Sequence, residues 1–241
     1  MSVAKHFTVD NTLRDDRILR RYLDLAKFIE LLRTQSLYLR RGDLFQDKFE
    51  GSFTPSVRFA IEEAYKASGS TFSYEKFKKE LREGVYINCW SLGANDNMAL
   101  WNLYGKSEAS VAITTTVGKL KRELTEQKVH GHLSLLKVEY IKHWRDPKVE
   151  IIPYAKIFRY KVVAYDFERE VRIILDRFER NFKQCEKDEG ILLSIQLNKF
   201  LRSVVVSPLA PPWFVDLIKD LAHRYGVTAP ARVSDLASEP I

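Results

Sequence analysis

The residues best suited to chemistry lie in "YDFEREVRIIL", Tyr165 to Leu175, where Glu168, Glu170 and Arg172 fall at every second position ahead of an apolar run. Alternate side chains of a β-strand share a face. The spacing therefore predicts these three charges on one face and Arg169, Val171, Ile173 and Leu175 on the other. Carboxylates so placed stand roughly 7 Å apart, near enough to act on one ligand and to raise each other's cost of ionising. Arg172 beside Glu170 would offset that repulsion and keep Glu170 charged. The competing reading is a solvated ladder of ion pairs, worth about 0.5 kcal/mol each and of no functional consequence. On spacing alone the ladder is favoured, because charge pairs on strands are common.

Other segments carry further candidates. In "CWSLGANDNMALWNLYG", Trp90, Trp101 and Tyr104 flank a turn rich in Asn and Asp, an arrangement that could stack an aromatic ring with polar edges nearby. Trp101 and Tyr104 share a helix face with Met98, and a core-facing stripe is the more frequent meaning of that pattern. In "RRYLDL", Arg20, Arg21 and Tyr22 precede the first helix; an arginine there can grip a phosphate or serve as a surface cation. Asp47 and Glu50 in "FQDKFEG" could bind a metal or hold a turn. His130, His132 and His143 cluster without a third-ligand pattern. The cysteines, Cys89 and Cys185, form no CxxC pair, so neither a disulfide framework nor a thiolate zinc site is expected.

The elements that must position these residues are legible from periodicity. "DLAKFIELLRTQ" predicts an amphipathic helix capped by Asp24, and "SLYLRRGD" a short strand. Two helical patterns, "SVRFAIEEAYKAS" and "SYEKFKKELREG", precede the strand "VYINCWSLG". A short helix "MALWNLYG" is expected to start from Asn95 or Asp96 and to stop at Gly105. The strand "ASVAITTT", the helix "VGKLKRELTEQ" and the strand "LSLLKVEYI" follow. After the 165–175 strand come "GILLSIQL", "LRSVVVSP", a helix "PPWFVDLIKDLAHRYG" with Pro in its first turn, and a strand near "APARVS". Strands mixed with helices in no regular βαβ order indicate an α+β fold, with a mixed or antiparallel sheet core and peripheral helices.

With 241 residues, 45% of them hydrophobic and 12% aromatic, the chain can bury a substantial core. No linker or repeat divides it, so one domain over 1–241 is expected, with a polar lead at 1–15 and a loose tail at 234–241. No apolar run approaches the length of a membrane span, and a soluble cytoplasmic protein is the reading. The net charge of +7 favours an anionic partner, although acids are interleaved with the basic residues throughout. No dinucleotide fingerprint, P-loop or HExxH motif is present.

Four segments together resemble the bacterial family called domain of unknown function 2971: "RRYLDLAKFIELLRTQSLYLRRGDLFQDKFEG", "YINCWSLGANDNMALWNLYGKSEASVAI", "FEREVRIIL" and "LRSVVVSPLAPPWFVDLIKDLAHRYGV". They occur in the family's order; the chain departs at the loop, where Gln46 and Lys48 replace asparagine and proline. More distantly, Arg21 ahead of the first helix, a middle Ser or Tyr and "EREV" entering a late strand are similar to the ADP-ribosyltransferase layout. That resemblance implies NAD as substrate and no metal. It casts Glu170 as the catalytic glutamate, Glu168 as the residue engaging the acceptor, and Arg21, with Tyr22 beside it and Arg172, as contacts to the nucleotide. Ser91 or Tyr104 would fill the middle position, and Trp101 or Tyr104 would stack the nicotinamide. A bacterial effector of the toxin or phage-defence type, modifying a nucleic acid or a protein, is the expectation. The alternatives are a non-catalytic module binding nucleic acid or a nucleotide, and a metal-dependent nuclease using Asp47, Glu50 and Glu170.

Overall fold

The computed structural model describes residues 7–47, 49–69, 73–178 and 188–238; Cys185 lies outside them. In chain order the strands are β1 (Phe7–Val9), β2 (Ile18–Asp24), β3 (Ser36–Arg41), β4 (Val85–Leu92), β5 (Ser110–Thr116), β6 (His132–Lys137), β7 (Glu139–Ile141), β8 (Tyr160–Val162), β9 (Glu170–Asp176), β10 (Gly190–Ser194), β11 (Ser203–Val206) and β12 (Ala231–Val233). The helices are α1 (Leu25–Thr34), α2 (Pro55–Ala67), α3 (Tyr74–Glu83), α4 (Met98–Leu100), α5 (Val117–Thr125), α6 (Leu197–Phe200) and α7 (Pro212–Arg224). The fold is mixed α and β, and among the described residues no helix is long and apolar enough to cross a membrane.

The chain packs as two compact units, each assembled from three separate stretches: Met1–Asp10, Leu39–Asn88 and Lys128–Ile191 in the first, and Asn11–Tyr38, Cys89–Gln127 and Leu192–Ile241 in the second. Because the stretches interleave, no linker marks the division in the sequence.

In the first unit β1 runs parallel to β6 and β6 antiparallel to β9, with Leu135 opposite Ile173. Every residue of β9 is buried, so both of its faces lie in the interior. A second, two-stranded sheet pairs β7 with β8 in parallel. In the second unit β2 lies antiparallel to β5 along its whole length, β5 antiparallel to β11, and β11 parallel to β12.

Several local expectations hold. Asp24 accepts the Lys27 N–H at 2.8 Å and caps α1, and α7 opens with Pro in its first turn. Others are corrected. The lead at 1–15 contains β1, and "ILRRYLD" is itself a strand rather than the approach to a helix. "LSLLKVEYI" is two strands broken at Val138. The "MALWNLYG" helix is one α-turn followed by a π-helical turn, Trp101–Gly105, and its cap is Asn97, whose side chain accepts from Ala99 N at 2.8 Å.

Candidate functional site: a buried carboxylate and cation network

The 165–175 stretch is not one strand. Val163–Glu168 forms a 3-10 helix, Arg169 takes a left-handed conformation with φ 47°, and β9 begins at Glu170. Glu168 thus reaches the same place as Glu170 through a helical turn and a left-handed residue, not through strand alternation. The solvated ladder is also excluded: Glu168 is 3% exposed, Glu170 5% and Arg172 0%.

Three carboxylates and two cations meet there. Lys161 Nζ, delivered by β8, donates to Glu170 Oε1 at 2.6 Å and to Glu168 Oε2 at 2.5 Å. Arg172 donates through Nε to Glu170 Oε2 at 2.6 Å, through Nη2 to Glu50 Oε1 at 2.8 Å, and through Nη1 to the Phe158 carbonyl at 2.8 Å. The hydroxyl of Tyr140 accepts the Glu170 N–H at 2.8 Å. All these residues belong to the first unit.

The backbone explains how Glu50 arrives. Gly51 has φ +68°, and a Cβ there would lie 2.6 Å from the Phe158 ring; a Cβ on Gly42 would meet the same ring at 2.8 Å. Two glycines therefore let the 42–51 segment close against Phe158, the residue whose carbonyl holds Arg172. Glu50 Oε2 is left buried with no hydrogen-bond partner among the described residues.

A buried charge persists only if paired. Burial opposes ionisation of Glu170, but Arg172, the hydrogen bond shared with Glu168, and Lys161 outweigh it and hold its carboxyl well below the usual range. Burial and the neighbouring Glu170 push Glu168 the other way, to about 7. For Lys161, burial is outweighed by Glu170, Glu50 and Glu168, so its ammonium stays charged above its ordinary pKa. Two adjacent carboxyls with opposite shifts are what general acid–base chemistry requires, and structural ion networks can generate the same split. Two side chains of the 3-10 helix, Tyr165 and Phe167, stand partly exposed, and the Tyr165 ring covers Lys161 Nζ at 4.5 Å.

The remaining candidates, Arg21, Tyr22, Ser91, Trp101 and Tyr104, belong to the second unit. Arg21 Nη1 donates to the Cys89 carbonyl at 2.7 Å, and Ser91 pairs through the backbone with Arg20. Trp101 is 3% exposed, edge-on to Tyr22 with ring centroids 4.9 Å apart, inside a core cluster with Leu100, Ala112 and Val205. Its ring is thus engaged in packing and is not offered to a ligand, whereas Tyr104 is 42% exposed. Tyr22 uses its hydroxyl to accept the Asn97 N–H at 2.9 Å.

The arginine that dominates this unit is Arg20, not Arg21. Arg20 is buried, donates to the Ala94 carbonyl at 2.6 Å and faces Asp96 at 3.4 Å; Asp96 also accepts from Trp101 Nε1 at 3.3 Å and from the Ser234 hydroxyl. The signal for Lys161 was a cation set among apolar and aromatic residues, which implies a buried partner.

Asp47 accepts from Phe49 N at 2.9 Å, the usual turn-holding role, while Glu50 joins the network. His132 bonds Thr8, and His143 is buried elsewhere against Phe49. Among the described residues no group of three or more His, Cys, Asp or Glu side chains is arranged to hold a metal ion. Comparison with family models, with curated proteins and with solved structures gives no match for the chain.

Proposed function

We propose that the Glu168–Glu170 pair is the chemical centre of the chain and that it transfers ADP-ribose from NAD to an acceptor, as a bacterial effector of the toxin or defence type. One observation carries the reading: a carboxylate fixed in its ionised form lies beside a carboxyl whose pKa is near 7, both joined to Lys161. Cleavage of the bond between ribose C1′ and nicotinamide leaves the electron pair on nicotinamide and positive charge on the ribose. A fixed anion stabilises that charge. Glu170 is the anion. Glu168, in its ionised form, takes the proton that the acceptor loses as its heteroatom bonds C1′. Arg172 holds Glu170 ionised in this reading.

The test is nicotinamide release from NAD by the purified chain. Wild type turns over, Glu170→Gln does not, and both give the same circular dichroism. Absence of NAD binding by calorimetry, together with absence of turnover by wild type, rejects the reading.

A second reading, a non-catalytic binding module, is favoured by a different observation. Both Glu170 oxygens already accept from cations, and the residue is almost wholly buried, which is what a purely structural network needs. It predicts ligand affinity that survives Glu170→Gln.

A further inference from the structure

Outside the carboxylate network, the first unit exposes an aromatic and cationic surface that the chemistry above does not use. Trp144 is 66% exposed and Phe49 50%, and the ring of His143, next to Trp144 in the chain, packs against Phe49 with centroids 5.5 Å apart. An open indole offers a broad apolar face on which a planar group can stack. The His143 ring is itself buried, and burial holds it below its ordinary pKa, so it backs Phe49 as a neutral ring.

The charges around Trp144 are mostly positive. Lys142, Arg145 and Lys148 are exposed, and none has an acidic partner among the described residues. The nearby acids are already engaged. Asp146 accepts from Ser56 N at 3.1 Å and from the Ser56 hydroxyl, Glu150 pairs with Lys156, and Glu139 pairs with Arg159 at 3.0 Å. The local field of "KHWRDPK" is therefore cationic, with an open indole in its middle.

Flat aromatic faces interleaved with unpaired cations suit one kind of partner. Phosphates meet the lysines and arginine, and an unpaired base stacks on the indole; a duplex offers the phosphates but keeps its base faces covered. We propose that Phe49 and Trp144, with Lys142, Arg145 and Lys148, form a docking surface for single-stranded nucleic acid. As the acceptor-binding surface of the enzyme it rests on the glycosyl-transfer reading; as a binding surface it does not.

The experiment is fluorescence anisotropy of labelled oligothymidylate and oligouridylate at stepped salt, without NAD, on the full chain. Trp144→Ala weakens binding of at least one of the two strands about tenfold. Arg145→Glu with Lys148→Glu weakens it further and flattens its salt dependence. Both variants change exposed side chains, and thermal melts confirm that they fold. Single-strand binding unaffected by Trp144→Ala overturns the proposal, as does a matched duplex binding equally well, or polyglutamate competing as well as the oligonucleotide. Strand binding without NAD consumption leaves the surface standing and rejects glycosyl transfer, and NAD consumption without strand binding does the reverse.

Discussion

Lys161 Nζ donates to Glu170 at 2.6 Å from a different strand, nine positions earlier, and it bonds Glu168 from the same atom. The ammonium thus ties the end of the 3-10 helix to the start of β9. Removing it takes that cation from Glu168 and leaves Glu170 with Arg172. Lys161→Met is expected to destabilise the protein by ~3–5 kcal/mol, since breaking a buried pair strands the other charge. The double change Lys161→Met with Glu170→Gln should lose less than the two single changes summed. Urea denaturation of the four proteins measures the coupling; strict additivity would show that the two groups act independently.

Glu168 supplies a pH dependence whose sign is fixed by its raised pKa. With a folded value of about 7 against an ordinary 4.5, the folded state binds more protons than the unfolded state between those values. Its contribution is complete below pH 4.5 and is lost as pH rises through 7, with a slope up to roughly 1 kcal/mol per unit. Glu168→Gln, which imitates the protonated form, removes this component. Stability measured from pH 5 to 8 should fall more steeply in wild type than in the variant. Parallel curves would rule the shift out.

The sequence disclosed the apolar scaffold better than the polar interior. Helix α1 and its Asp24 cap, and α7 with its leading proline, follow from local rules that tertiary packing did not override. The strand "ILRRYLD" escaped because consecutive arginines hide its alternation, and one of them, Arg20, is buried against Asp96. Spacing groups Glu168, Glu170 and Arg172, and the three do meet, but it implies a single strand face. The left-handed Arg169 breaks that strand, a feature that spacing cannot reveal. Lys161 and Glu50 come from other elements, and a pairing between distant segments leaves no periodic trace.

Gly51 tests whether the backbone delivers Glu50 to the network. At φ +68° an L side chain is strained, and a Cβ would sit 2.6 Å from the Phe158 ring. Gly51→Ala is therefore expected to cost ~1–3 kcal/mol by overpacking, in addition to backbone strain. The readout is the urea midpoint at constant m-value. A change under about 0.5 kcal/mol would mean that Phe158 shifts freely.

In the second unit the loop at 93–97 is fixed at two points by Asn97: its backbone N–H is held by the Tyr22 hydroxyl at 2.9 Å, and its side chain caps α4, accepting from Ala99 N at 2.8 Å. Each bond can be removed separately. Asn97→Ala deletes the cap and keeps the backbone bond, with an expected cost of about 1 kcal/mol. Tyr22→Phe deletes the hydroxyl and leaves a partly buried N–H unpaired, costing up to ~1–3 kcal/mol. Because the two bonds hold one short turn, the costs should not add: once the cap is lost the turn can swing its N–H toward water, and Tyr22→Phe then costs less. A double-mutant cycle by thermal denaturation, with hydrogen exchange at Asn97, distinguishes a jointly held turn from two independent bonds.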